Sequence, residues 1–185
     1  MIAIHWLAAI PYFQSPIGGP AQTRRGTLHL QVSVVTTMIA VIGATGNTGR
    51  AVVRELRQVG RDPLCIVRSA EKARAVLGAD ARTAVAELTD KAALEKALVG
   101  AENVFLVTGH NPQMAEQQNN VIDAAIKAGA KYLVRISAGA AVAKPDSPTA
   151  VGRAHYAVDE RLRGGNIGWV ILRPSTCENT SAKSP

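Results

Sequence analysis

Met38-Ile-Ala-Val-Ile-Gly-Ala-Thr-Gly-Asn-Thr-Gly-Arg-Ala-Val-Val-Arg-Glu-Leu56 reads as a buried strand, a glycine-rich turn and an amphipathic helix in direct succession. Ile39, Val41 and Ile42 form a β-branched run suited to a parallel strand covered on both faces. Gly43 supplies the backbone dihedrals of a tight strand-to-helix turn. Gly46 leaves room for an anionic group against the backbone, and Gly49 lets the helix pack closely. Asn47 or Thr48 is the expected N-cap, with the free N–H groups of the first helical turn facing the anion. Val52, Val53, Leu56 and Val59 then recur at helical spacing, and Gly60 marks the stop. The spacing is G-x-x-G-x-x-G, one residue longer than G-x-G-x-x-G, and a glycine triplet also occurs in ordinary loops. Its position between a strand and a helix makes Gly43, Thr45, Gly46, Asn47, Thr48 and Gly49 the candidate cradle for a dinucleotide pyrophosphate.

The end of the next strand discriminates between dinucleotides. Pro63-Leu-Cys-Ile-Val67 reads as a buried strand and is followed by Arg68-Ser-Ala-Glu-Lys72. An NAD site usually places Asp or Glu here, on the adenosine ribose 2′-hydroxyl. Arg68, with Ser69 and Lys72 beside it, suits a 2′-phosphate, because a guanidinium pairs with phosphate bidentately where a carboxylate repels it. The expected cofactor is NADP rather than NAD. The plainer alternative is a solvated arginine opening a helix.

Composition bounds the answer. The chain has 185 residues, 47% hydrophobic and 19% charged, enough for one domain with a real core and unlike a disordered segment. The net charge is +7, but the basic residues are scattered without aromatic interleaving, so no nucleic-acid partner is expected. Cys65 and Cys177 make neither a disulfide framework nor a metal site, and they read as reduced thiols of a cytoplasmic protein. Residues 1–37 hold an apolar start, several prolines and glycines and no acidic residue. The apolar run is too short to span a bilayer, and it lacks the preceding positive charge of an export signal. The segment is expected to be an extension outside the domain, with Met38 as the natural beginning and a cryptic export signal as the lesser alternative.

From residue 38 onward strand and helix patterns alternate. Helices are expected over 48–59, 70–77, 91–99, 113–128 and 153–163, and strands over 64–67, 83–88, 103–107, 132–136 and 169–172. With the first strand, this is an α/β fold: a doubly wound parallel sheet of about six strands with right-handed crossovers, forming a single dinucleotide-binding domain over 38–185. Only Ser175 to Pro185 follow the last strand, so a substrate-binding portion is expected to be largely missing.

From Met38 to Asn179 the chain resembles the NmrA-like, atypical short-chain dehydrogenase/reductase family of NAD(P)-binding proteins. The resemblance rests on Gly43-Ala-Thr-Gly-Asn-Thr-Gly49, Val67-Arg-Ser69, Glu87-Leu-Thr-Asp90, Val134-Arg-Ile-Ser137, His155 with Asp159 and Glu160, and Leu172-Arg-Pro174 with Asn179. It implies that Glu87 and Leu88 touch the adenine, although the family usually has Asp where this chain has Glu87. It also implies a longer protein with a C-terminal substrate-binding portion. Typical short-chain reductases use Tyr-x-x-x-Lys, but Tyr156 is followed by Glu160, whose carboxylate would raise the tyrosine pKa. In this the chain is similar to NmrA-like quinone and azo reductases.

His155, with an ordinary pKa near neutrality, is the candidate proton donor, and Asp159 one helical turn on is the candidate orienting partner. A surface pair on the helix is the alternative. Ser137, at the end of the fifth strand, is the second catalytic candidate, against a simple strand-terminating serine. Thr108, with Gly109 and His110, follows the fourth strand and is expected at the nicotinamide side; His110 alternatively is a loop residue only. No metal site is expected. The chain thus reads as an NAD(P)H-dependent oxidoreductase passing hydride to a quinone-like or carbonyl small molecule. The alternatives are a non-catalytic NADP-binding redox sensor and an inactive fragment of a reductase.

Overall fold

The computed structural model describes residues 37–174. Residues 1–36 of the expected extension, Cys177 and Asn179 lie outside the described residues. The elements run β1 (Ile39–Ile42), α1 (Asn47–Gln58), β2 (Leu64–Val67), α2 (Ala70–Leu77), β3 (Thr83–Val85), α3 (Lys91–Ala97), β4 (Asn103–Leu106), α4 (Met114–Lys127), β5 (Tyr132–Ile136), α5 (Ala150–Arg163) and β6 (Gly168–Leu172). All neighbouring strands pair in parallel, in the order β3-β2-β1-β4-β5-β6. This is the doubly wound arrangement expected, and its order reverses between β1 and β4.

That reversal dictates the layers. Right-handed crossovers carry α1 and α2 over one face of the sheet, and α3, α4 and α5 over the other. Ala40, Ile42, Val104, Leu106 and Leu133 of the strands join Leu94, Val121, Ile122, Ala125, Val158 and Leu162 of α3, α4 and α5 in one buried cluster. Val52, Val53 and Leu56 are the buried positions of α1, at the helical spacing read from the sequence, together with Gly49.

The differences from expectation lie at element ends. The side-chain cap expected of Asn47 or Thr48 is absent: the N-cap of α1 is Gly46, with extended backbone and no side-chain hydrogen bond. β3 stops at Val85 rather than Leu88. The Ala86 N–H still donates to the Val67 carbonyl (3.0 Å), but a turn then forms in which the Asp90 N–H donates to the Glu87 carbonyl (3.0 Å). Asp90 in turn caps α3 by accepting from the Ala93 N–H (3.0 Å). α5 begins three residues before expectation, at Ala150, because the Thr149 hydroxyl caps it through the Gly152 N–H (3.0 Å).

Candidate functional site

A cleft of about 430 Å³ opens at the carboxyl ends of β1, β2 and β4, where the strand order reverses. In open α/β sheets this is where ligands bind. Its floor is the glycine turn. Gly43 has φ +79°, and a Cβ there would lie 2.0 Å from the Val107 carbonyl oxygen. Gly49 seats the first turn of α1 on that loop, since a Cβ would lie 2.0 Å from the Gly43 carbonyl oxygen and 2.9 Å from the Ala44 Cα. At Gly46 a Cβ would press on the Gly43 carbonyl oxygen at 3.3 Å, and its absence leaves the loop surface bare. The first backbone hydrogen bond across this end of α1 is Arg50 N–H to the Gly46 carbonyl (2.9 Å). With no side-chain cap, the amides of Asn47, Thr48 and Gly49 lie beside the cleft these residues line, at the positive end of the helix dipole. The bare loop and the uncapped helix end fit a pyrophosphate.

Arg68, Glu87 and Leu88 line the same cleft on the β2 side. Arg68 is exposed and has no ion-pair partner among the described residues. Ser69, read as a neighbour of the phosphate, is the N-cap of α2 and accepts from the Lys72 N–H (3.2 Å). The Leu88 carbonyl is held by the Asn120 side-chain amide (3.0 Å). The structure therefore brings the candidate cofactor-contacting residues Gly43, Thr45, Gly46, Asn47, Thr48, Gly49, Arg68, Glu87, Leu88 and Thr108 to one cleft.

On the β4 side the wall is formed by Thr108, Gly109 and His110, and behind it runs a buried polar network. At its centre is Arg135 of β5, with 0% exposure. Arg135 Nε donates to Gln118 Oε1 (2.6 Å), one terminal nitrogen donates to Asp159 Oδ1, and the other meets His155 Nδ1 (3.0 Å). Asp159 Oδ2 also accepts from Ser137 Oγ (3.0 Å) and from Arg173 (2.7 Å). The network reaches the cleft twice. Gln118 Nε2 donates to Thr108 Oγ1 (2.6 Å), and His155 Nε2 lies 3.2 Å from His110 Nε2.

The two catalytic candidates are thus placed behind the cleft wall. His155 and Ser137 are buried, and neither lines the cleft. Ser137 spends its hydroxyl proton on Asp159. The hydrogen bonds of Asp159 run to Arg135, Ser137 and Arg173, and His155 is partnered by Arg135 and His110 instead; the two residues do not form a surface pair either. Burial and then the Arg135 guanidinium push His155 down to about 4, so it is neutral at pH 7 and holds no extra proton to give. Arg135 is itself lowered, to about 10, by burial working against the Asp159 carboxylate. Tyr156 and Glu160 stay outside the cleft lining, and Glu160 pairs with Arg163.

Arg135, Gln118 and the His110–His155 contact were not read from the sequence. One signal was present: a charged residue inside the apolar run Tyr132–Ile136 demands a buried partner. Cys65 is a free, buried thiol raised to about 11 by burial. Among the described residues no group of three or more His, Cys, Asp or Glu gathers as metal ligands, and no helix is long and apolar enough to cross a membrane.

A six-stranded doubly wound sheet with a bare glycine turn under a cleft at its switch point defines a dinucleotide-binding α/β domain. The chain belongs to the NAD(P)H-binding family, which it matches over residues 43–184. It is 34% identical over 137 residues to the NAD(P)H azoreductase of Xenophilus azovorans, covering 74% of this chain and 47% of that protein. It is 33% identical over 152 residues to quinone oxidoreductase 2 of Escherichia coli, covering 80% of this chain and 52% of that one. The solved structure of an NADPH-dependent quinone oxidoreductase from Escherichia coli with NADPH superposes with a TM-score of 0.66 at 33% identity, over 74% of this chain and 48% of that one. The triphenylmethane reductase of Citrobacter sp. with NADP(H) gives 0.65 at 27% identity, over 74% and 48%. The chain spans about half the length of these relatives.

Proposed function

We propose that this protein is an NADPH-dependent oxidoreductase that reduces a small quinone-like, azo or carbonyl acceptor. The observation that carries the reading is the joint placement, on one cleft, of an uncapped helix end and an arginine with no ion-pair partner among the described residues. The amides of Asn47, Thr48 and Gly49 hold the pyrophosphate, with Thr45 beside them in the turn. Arg68 pairs with the 2′-phosphate, Glu87 and Leu88 border the adenine, and Thr108 borders the nicotinamide. When bound, the reduced nicotinamide supplies a hydride. The chain's part is to hold that ring beside the β4-side wall and to meet the acceptor there. In this reading Ser137 and His155 position the wall rather than touch the acceptor, and the protein works in the cytoplasm on a freely diffusing substrate. The similarity to a quinone oxidoreductase and an azoreductase supports this acceptor chemistry.

The test is turnover. Purified protein is mixed with NADPH and a panel of quinones, azo dyes and carbonyl compounds, and NADPH oxidation is followed. Oxidation dependent on at least one acceptor supports the enzyme. Stoichiometric NADPH binding without oxidation across the panel overturns it and leaves an NADP-binding sensor.

A further inference from the structure

The hydrogen-bond inventory of the buried network has a direction. A guanidinium has donors only, so every atom facing Arg135 must accept. His155 Nδ1 lies 3.0 Å from Arg135 and therefore carries no proton. Neutral His155 then bears its single proton on Nε2, which faces His110 Nε2 at 3.2 Å. His110 Nε2 is thereby the acceptor, and the His110 ring proton belongs on Nδ1. The second branch repeats the logic. Gln118 turns its carbonyl oxygen to Arg135 (2.6 Å), so its amide nitrogen faces Thr108 Oγ1 (2.6 Å) and donates to it. The Thr108 hydroxyl proton is left for another partner. Arg135 is kept in place by the Asp159 carboxylate, and Asp159 by Ser137 and Arg173.

We propose that Arg135, acting through His155 and Gln118, makes the β4-side wall of the cleft a pair of hydrogen-bond donors, His110 Nδ1–H and Thr108 Oγ–H, that grips an electron-rich oxygen or nitrogen of the acceptor. The inference rests on the reductase reading for the word acceptor; the polarity of the wall does not depend on it. Both residues line the cleft, and His110 is exposed to it. Donors fixed before the ligand arrives favour an atom on which negative charge accumulates. His110 is the group that touches the acceptor, while His155 and Arg135 are positioning residues. The lowered His155 is consistent with this: burial first, then Arg135 from β5 and His110 from the loop after β4, favour the neutral ring and outweigh Asp159 on its own helix, which favours the charged one.

The chain has four histidines, so imidazole nitrogen resonances are resolvable. In the NADP⁺-bound protein, nitrogen-15 spectra are expected to show His155 protonated on Nε2 and His110 on Nδ1. A His110 proton on Nε2 would overturn the proposal. Saturation with a tetraalkyl-benzoquinone, which has no ring hydrogen or leaving group for a cysteine to displace and cannot be reduced by NADP⁺, should shift the His110 Nδ1–H signal. His110→Ala should weaken that quinone about tenfold, as loss of one net hydrogen bond implies. His155→Leu should release the His110 tautomer to a mixture and weaken the quinone about threefold. His155→Gln, whose carbonyl can face Arg135 and whose amide can face His110, should restore both. Retained NADP⁺ binding shows that each variant is folded. An unchanged His110 tautomer in His155→Leu, or no shift with the quinone, overturns the proposal. A quinone shift in a protein that never oxidises NADPH supports the donor wall and removes the reductase reading alone.

Discussion

At Gly49 one methyl group separates a formed cradle from a blocked one. A Cβ there would sit 2.0 Å from the Gly43 carbonyl oxygen, and the neighbour is backbone that cannot swing aside. Gly49→Ala should therefore cost about 1–3 kcal/mol of stability, the ordinary cost of overpacking, and weaken NADPH, as denaturant unfolding and titration would show. His155 carries a second prediction at this scale. Its pKa falls from 6.5 in the unfolded chain to about 4 in the fold, chiefly by burial and then by Arg135. Between these values the unfolded chain binds more protons, so stability rises with pH through this window and falls as pH drops from 6.5 toward 4. Below both values the penalty approaches about 3 kcal/mol. The pH dependence of unfolding should be flatter in His155→Gln below about pH 7, and above it the two curves should run parallel.

Among the elements, Asp159 is the point where three meet. Its carboxylate takes Arg135 and Ser137 from β5 and the segment after it, and Arg173 just beyond β6, while the residue itself sits on α5. Both Arg135 and Asp159 are 0% exposed. Removing one member of such a pair leaves a buried charge unmatched, so Asp159→Leu should cost about 3–5 kcal/mol in thermal or denaturant unfolding. Replacing both, as Arg135→Met with Asp159→Leu, should recover a substantial part of that loss while abolishing the fixed His110 tautomer. Element boundaries show where sequence signals end. The strand read over 83–88 stops at Val85 because the turn held by Glu87 and Asp90 outcompetes an apolar pattern that continues past it. Thr149, which sets the true start of α5, is a capping signal that the run from Arg153 onward overshadowed.

For the whole molecule, the fold was legible because its signals are local: the strand-turn-helix at 38–56, then apolar periodicities of strand and helix in alternation. The placement of Gly43, Gly46, Gly49 and Arg68 on one cleft was legible for the same reason, since they lie at or just after strand ends that the topology brings together. The β4-side wall was not. Its network joins Thr108, Gln118, Arg135 and His155 from four separate stretches of chain, and only the folded sheet shows which side chains meet. The helical spacing of His155 and Asp159 suggested a pair, yet the buried guanidinium claims both. The central claim concerns the ligand of the cleft, and calorimetric titration of the protein and of Arg68→Ala with NADPH and with NADH tests it most directly. The native chain is expected to bind NADPH at least tenfold more tightly than NADH. Arg68→Ala should lose about 10- to 100-fold for NADPH and little for NADH, the value of a charge-assisted contact to phosphate. Equal losses for the two dinucleotides, or no binding of either by the native chain, would contradict it.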